Sequence, residues 1–221
     1  MKYEVALFDL DGTLVDSVYD LYIAMNLTLS DLAFPIVSQR LVESWVGNGI
    51  ETLVKRGLSG DMQVSEHLDA VLADKAITLF YGHYGQIVGE YSVLYQHVET
   101  GLAALRGVPK ALITNKARCF TEKLLDKLAL TSHFEVIVCG DDMAKKPSPE
   151  PLLFACQQLN VAVSQAIMIG DSKSDILAAQ AANIDVIALS YGYNQGENLS
   201  DYNPQYLCDT FLDIIPVLSQ R

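Results

Sequence analysis

The sequence predicts an α/β fold: a Rossmann-like parallel sheet core with an inserted all-helical cap domain. Three features of the chain carry that prediction. Short strand-like runs, at 5–8, 109–113, 134–138, 166–169 and 186–189, alternate with segments of helical period. The stretch 17–87 has helical spacing only and no strand of its own. The strand-like runs are followed by polar clusters, and in open parallel sheets ligands gather outside the carboxyl ends of the strands. The expected division is therefore 1–16 and 88–221 for the α/β core and 17–87 for the helical cap.

Taken in order, the run Val5, Ala6, Leu7, Phe8 reads as a buried strand, and FDLDGTLVDS over 8–17 carries the chain off its end. A helix over 17–32 follows from the spacing of Leu21, Ala24, Met25, Thr28, Leu29 and Leu32, with Asp16 or Ser17 as N-cap and Phe34-Pro35 beyond its end. Shorter helices are expected over 38–44 and 50–56, separated by Trp45, Val46, Gly47, Asn48 and Gly49. A long one is expected over 65–87, where Leu68, Val71, Leu72, Ile77, Phe80 and Tyr84 recur at helical spacing. Helices over 98–106, 117–129, 150–159 and 176–182 then alternate with the later strands. A short strand near Tyr206 and a helix over 210–218 close the chain.

The chain has 221 residues, half of them hydrophobic, which suits one large domain or a core with a smaller insert. A net charge of −12 argues against nucleic acid and anionic membrane surfaces, which want a basic face. It leaves an anionic substrate open, because a metal and a few local cations reverse the sign inside a cleft. The four cysteines, Cys119, Cys139, Cys156 and Cys208, form no CxxC pair and read as reduced thiols of a cytoplasmic protein. His67, His83, His97 and His133 have no zinc-ligand spacing. No secretory leader or membrane-length apolar run is read from the sequence.

Asp9 and Asp11 stand two apart after a strand, so an extended backbone turns both carboxylates to one side. Gly12 lets the backbone turn there and approach a ligand closely. Carboxylates that close repel each other, and a hard cation such as Mg²⁺ with oxygen ligands relieves the repulsion. The same DxDG pattern also fits a solvated turn. The remaining polar clusters point away from that reading. Thr114 and Asn115, Lys146 before Pro147, and Asp171 with Asp175 all fall at strand ends or in the loops that follow, and parallel topology gathers such sites on one rim.

FDLDGTLVDS, a strand ending in TN, a lysine before proline, and GDSKSD, in that order, resemble the haloacid-dehalogenase-like phosphohydrolases over the whole chain. Within that family WVGNG, GDD, PEPLL and LSYGYN are most similar to the phosphoglycolate phosphatase group. Asn183 stands where such proteins carry glycine after a helix, and 106–109 is shorter than usual. The resemblance implies a Mg²⁺-dependent phosphomonoesterase acting on a small anionic phosphomonoester. Asp9 would be the nucleophile and Asp11 the general acid–base, with Mg²⁺ held by Asp9, the Asp11 carbonyl and Asp171. Gly12, Thr114, Asn115 and Lys146 would bind the phosphoryl group, and Asp175 would support Lys146 or a metal-bound water. Trp45, Asn48 and Arg56 are candidates for substrate specificity, Arg56 because arginine matches a carboxylate. The alternatives are a phosphatase for sugar phosphates, nucleotides or pyrophosphate, a phosphoglucomutase-like enzyme, or a catalytically silent phosphate-binding protein. A monomer or a homodimer fits equally.

Overall fold

The computed structural model describes residues 2–219, so residue 1 and residues 220–221 of the expected core lie outside the described residues. In chain order the elements are β1 (Val5–Phe8), β2 (Val15–Asp16), α1 (Val18–Asp31), α2 (Gln39–Trp45), α3 (Ile50–Ser59), α4 (Ala70–Ile87) and β3 (Val93–Leu94). They continue with α5 (Val98–Ala104), β4 (Lys110–Ile113), α6 (Arg118–Lys127), β5 (Val136–Val138), α7 (Glu150–Gln158), β6 (Ala166–Gly170) and α8 (Lys173–Ala182). β7 (Asp185–Leu189), β8 (Tyr206–Cys208) and α9 (Ile214–Ser219) complete the chain.

The main sheet has six strands in the order β5-β4-β1-β6-β7-β8, and its neighbours pair in parallel. β1 lies inside the sheet, and the chain first builds outward on one side of it through β4 and β5, then on the other through β6, β7 and β8. The carboxyl end of β1 is therefore at the switch point, where an open crevice forms. Period-two alternation sorts the strand residues between two cores. Ala6, Phe8, Leu112, Ile167, Ile169, Ile187 and Leu189 face one with α5, α6 and α9. Val5, Leu7, Ala111, Ile113, Met168, Val186 and Ala188 face the other with α7 and α8. Burial on both faces explains why these strands read as continuous apolar runs.

α1–α4 pack on one another between β1 and the return to β4. Their stems are joined by a ribbon that sequence reading missed, with β2 and β3 pairing antiparallel through Val15 with Leu94 and Asp16 with Val93. Two-residue strands are too short to show a period. Asp20 of α1 fixes the return stem: buried, it accepts from the N–H groups of Gly89 and Tyr91 at 2.8 and 3.0 Å and from the Ser92 hydroxyl. The long helix starts at Ala70 rather than Ser65, because the Asp69 carboxylate caps it by accepting from Leu72 N–H at 2.7 Å. The closing segment is a 3-10 turn over Phe211–Asp213 before α9. Asn183 takes the left-handed conformation (φ 56°) that ends α8, the role glycine ordinarily fills.

Candidate active site

Asp9 is the first residue past β1, and its N–H donates to Ile169 O at 2.9 Å, which carries the β1–β6 ladder one step further. The chain then turns tightly, with Gly12 N–H donating to Val15 O at 2.9 Å and Gly12 at φ +90°. A Cβ on Gly12 would lie 2.1 Å from Asp171 Oδ2, so only glycine lets this turn meet the carboxylate that ends β6. Asp171 accepts from the Thr13 hydroxyl at 2.6 Å and from Tyr193 N–H at 2.7 Å. Gly192 makes a second close approach, its missing Cβ position being 2.3 Å from both Asp171 Cβ and Gly12 O.

Lys146 ties the nucleophile candidate to Asp175. Its ammonium lies 2.8 Å from Asp9 Oδ1 and 2.6 Å from Asp175 Oδ1 and donates to Ile113 O at 2.7 Å. All three side chains are buried. Burial pushes the Asp9 carboxyl up to about 7, with Asp175 adding to the rise and Lys146 opposing it. Burial also raises Asp171 well above the ordinary carboxylate range, helped by the charges of Asp9 and Asp175. Oxygens of Asp9, Asp171 and Asp175 all lie within 4.8 Å of one another. Three clustered carboxylates, only two of them in contact with the Lys146 ammonium, leave an excess of negative charge in a buried site. That donor set fits a hard divalent cation. Asp175 is the least free of the three, since its second oxygen accepts from Ser172 N–H and hydroxyl at 3.1 and 2.6 Å as part of the capping box of α8.

At the end of β4, Thr114 Oγ1 accepts from Lys116 N–H at 3.2 Å. The Asn115 amide is built into the site wall: its oxygen accepts from Lys146 N–H at 2.9 Å and its nitrogen donates to Lys146 O at 3.0 Å. That nitrogen also donates to Gly47 O at 2.9 Å, reaching across to the helical layer. Asp11 is held by the Ser17 hydroxyl and by Lys116, whose ammonium is 3.1 Å from both carboxylate oxygens and 2.7 Å from the Tyr84 hydroxyl of α4. Tyr193 OH accepts from Ser17 N–H and Val18 N–H at 2.8 and 3.0 Å and donates to Asp16 at 2.6 Å. Sequence reading missed Thr13, Ser17, Lys116, Tyr84 and Tyr193. The signal for Lys116 was its place beside Thr114 and Asn115; Tyr193 was visible only as part of a tyrosine-rich turn.

Between the two layers lies a cavity of about 40 Å³. Asp9, Asp11, Thr114, Asn115 and Lys116 line it from the sheet side. Leu21, Val46, Gly47, Gly49, Ile50 and Leu53 line it from the helical side. Asp171 and Lys146 adjoin Asp9 without lining the cavity. The expected specificity residues are not in its wall. Arg56 donates to the carbonyls of Trp45 at 2.8 Å and Met62 at 2.9 Å, so its guanidinium holds α3 to the preceding loop and is withdrawn as a carboxylate partner. Trp45 is fully buried in the helical layer. Asn48 is half-buried, and its flanking glycines, not its side chain, reach the cavity.

Residues 6–189, from β1 through β7, match the model of the haloacid dehalogenase-like hydrolases. The chain belongs to that family. It is 48% identical over 215 residues to a phosphoglycolate phosphatase of Colwellia psychrerythraea, covering 96% of this chain and 95% of the relative. A phosphoglycolate phosphatase of Nitrosococcus oceani is 42% identical, with 98% and 97% covered. Among solved structures, one described as a predicted phosphoglycolate phosphatase from Haemophilus somnus 129PT superposes with a TM-score of 0.91 at 31% identity, over 98% of each chain. The chain is thus a haloacid dehalogenase-like phosphatase similar to the phosphoglycolate phosphatases. No described helix is long and apolar enough to cross a membrane.

Proposed function

We propose that this phosphatase hydrolyses 2-phosphoglycolate by way of an aspartyl-phosphate, with Mg²⁺ bound in the carboxylate cluster. The observation that carries the reading is the small cavity above Asp9: about 40 Å³ between a charged floor and an apolar roof suits a phosphoryl group with a very short substituent. The names of the two relatives above support the same substrate. Hexose phosphates and nucleotides would need the layers to part much further.

An ionised Asp9 attacks phosphorus in line with the ester oxygen, so that the new Oδ–P bond forms as the P–O(ester) bond breaks. Asp11 gives its proton to the departing oxygen and then takes one from the water that attacks the aspartyl-phosphate, releasing inorganic phosphate and restoring Asp9. The Thr114 hydroxyl and the main-chain N–H of Asn115 hold phosphoryl oxygens, beside the Gly12 turn. Lys146 offsets the charge that Asp9 and the phosphoryl group bring together, and Asp175 keeps the ammonium in place. Asp9, the Asp11 carbonyl and Asp171 would hold Mg²⁺, which supplies charge neutralisation between two anionic reactants. The helical layer, 17–87, acts as a cap that closes over the first step and admits water for the second. Cys119, Cys139, Cys156 and Cys208, all free, support a reducing, cytoplasmic setting.

The test is phosphate release from 2-phosphoglycolate, hexose phosphates, nucleoside monophosphates and pyrophosphate, with Mg²⁺ and with chelator. The expected result is a chelator-sensitive preference for 2-phosphoglycolate of at least about tenfold in kcat/KM. An equal rate on every ester would remove the substrate, and phosphate release undiminished by chelator would remove the metal.

A further inference from the structure

If 2-phosphoglycolate is the substrate, something in the cavity must meet its carboxylate. Arg56 is turned away, and Lys145, whose ammonium lies 3.0 Å from where a Cβ on Gly49 would stand, lines the neighbouring cavity with Glu51, Tyr81 and Asp141. Lys146 is enclosed by Asp9, Asp175 and Ile113 O. Among the described residues, Lys116 is the cation in the cavity wall.

We infer that Lys116, with the N-terminus of α3 opposite it, is the specificity determinant that binds the substrate carboxylate; the inference rests on the phosphoglycolate reading and extends it to a residue. Lys116 is buried, with a side chain only 3% exposed. A buried ammonium is kept only where partners compensate its lost hydration. Its partners are unequal. The bond to Tyr84 OH is 2.7 Å, whereas both contacts to Asp11 are 3.1 Å, longer than the 2.7–2.9 Å usual for charge-assisted pairs. The ammonium bridges the Tyr84 hydroxyl and both Asp11 oxygens, and a second carboxylate in the cavity can draw on the same donors. The opposite wall offers more donors. Gly49 and Ile50 line the cavity at the start of α3, a ten-residue helix whose N-cap, Gly49, brings no side-chain acceptor. First-turn N–H groups without internal partners, together with the helix dipole, favour an anion at that end.

Tyr84 gives this arrangement a further property. It belongs to α4 of the helical layer, while Lys116 follows β4 of the sheet. The ammonium is therefore fully fixed only when the layers are together. A carboxylate that bridges Lys116 and α3 favours that closed arrangement, and a neutral substituent of the same size does not.

The experiment compares 2-phosphoglycolate with ethyl phosphate, which keeps the two-carbon substituent and lacks the carboxylate. The wild-type enzyme is expected to favour 2-phosphoglycolate by at least about tenfold in kcat/KM. In Lys116→Met the ratio between the two esters is expected to fall by about tenfold or more, with Lys116→Arg restoring part of it. Any effect on Asp11 geometry lowers both esters alike and leaves the ratio untouched, so a Lys116→Met enzyme that loses rate but keeps the wild-type ratio overturns the inference and leaves the phosphoglycolate reading standing. A wild-type enzyme without the preference overturns the reading and the inference with it. Should Lys116→Met fail to fold, Tyr84→Phe removes only the hydroxyl anchor. A several-fold fall of the ratio in that variant supports the inference, and an unchanged ratio overturns it.

Discussion

The two walls of the cavity are made in different ways. On the sheet side the wall carries charged side chains, Asp9, Asp11 and Lys116, with Lys146, Asp171 and Asp175 next to Asp9. Each is fixed by partners distant in sequence. On the helical side the wall is Leu21, Val46, Ile50 and Leu53 with the backbone of Gly47 and Gly49, and no side chain in it titrates. The polar ties between them include Asn115 and Gln195, whose amides donate to the carbonyls of Gly47 and Val46, and the bond from Lys116 to Tyr84. Reaction chemistry needs groups held to within a fraction of an ångström, which strand ends in a packed sheet provide. Selection among small esters needs shape, which an apolar roof provides. Lys116 apart, changes to the sheet wall should therefore lower turnover on every ester, and changes to the helical wall should alter which esters are accepted or how tightly they are held.

The strongest test of that division is Asp9→Asn. The amide is isosteric but has no anionic oxygen to attack phosphorus, and turnover on every ester is expected to fall at least about 10³-fold with the fold intact by circular dichroism. Retention of wild-type turnover would move the nucleophile elsewhere. Gly12→Ala is the next largest. The added methyl would overlap Asp171 and would sit at φ +90°, a conformation costly for alanine. Displacement of Asp171 is expected to weaken Mg²⁺ activation about 10- to 100-fold, read as a shift in the Mg²⁺ titration of phosphate release. An unchanged titration would exclude Asp171 as a ligand.

These sheet-wall residues were legible because their positions are tied to strand ends. Asp9, Thr114 and Asp171 follow continuous apolar runs, so a one-dimensional pattern locates them in three dimensions. Lys116 lies in the same loop, but its bonds to Asp11 and Tyr84 span 105 and 32 residues, and no local pattern encodes such distances. Tyr193 joins Asp171 to the start of α1 across comparable separations. Arg56 was misread for the converse reason: its chemistry suits a carboxylate, yet two nearby carbonyls engage its Nε and Nη1 and hold it away from the cavity. The helical wall was the harder part, since helical period shows which face is apolar but not which of its residues border a cavity.

The pH profile sharpens the contrast by a smaller factor. Burial raises Asp9 from 3.8 to about 7, so below about pH 7 the metal-free carboxyl holds a proton it must lose to attack. The sign for stability follows from the same shift. Between about pH 4 and 7 the folded protein binds a proton that the unfolded chain has released, and this group's contribution to metal-free stability falls as pH rises through that window. At limiting Mg²⁺ the rate is expected to drop about tenfold per pH unit below about 7, and more Mg²⁺ should move the break to lower pH, because cation and proton compete for one carboxylate. Substitution of Leu53 should leave the break in place. A break that ignores Mg²⁺ would separate Asp9 from the metal.

The smallest effect expected is that of Gln195→Ala. Gln195 lines neither wall of the cavity, and its amide donates to Val46 O, beside Gly47 in the roof. Its backbone is already left-handed at φ +57°, a conformation alanine tolerates no better or worse, so the substitution isolates one tie between the layers. A hydrogen bond of this kind contributes about 1 kcal/mol, equivalent to a factor of about five in the closing equilibrium. If closure creates the binding site, the cost falls on affinity: KM should rise about two- to fivefold for 2-phosphoglycolate while kcat and the pH break stay within error. Both quantities come from one steady-state series at saturating Mg²⁺. A fall in kcat at constant KM would mean that the helical layer helps to align the reacting groups, and the line between the two walls would then have to be redrawn to include the roof in the chemistry.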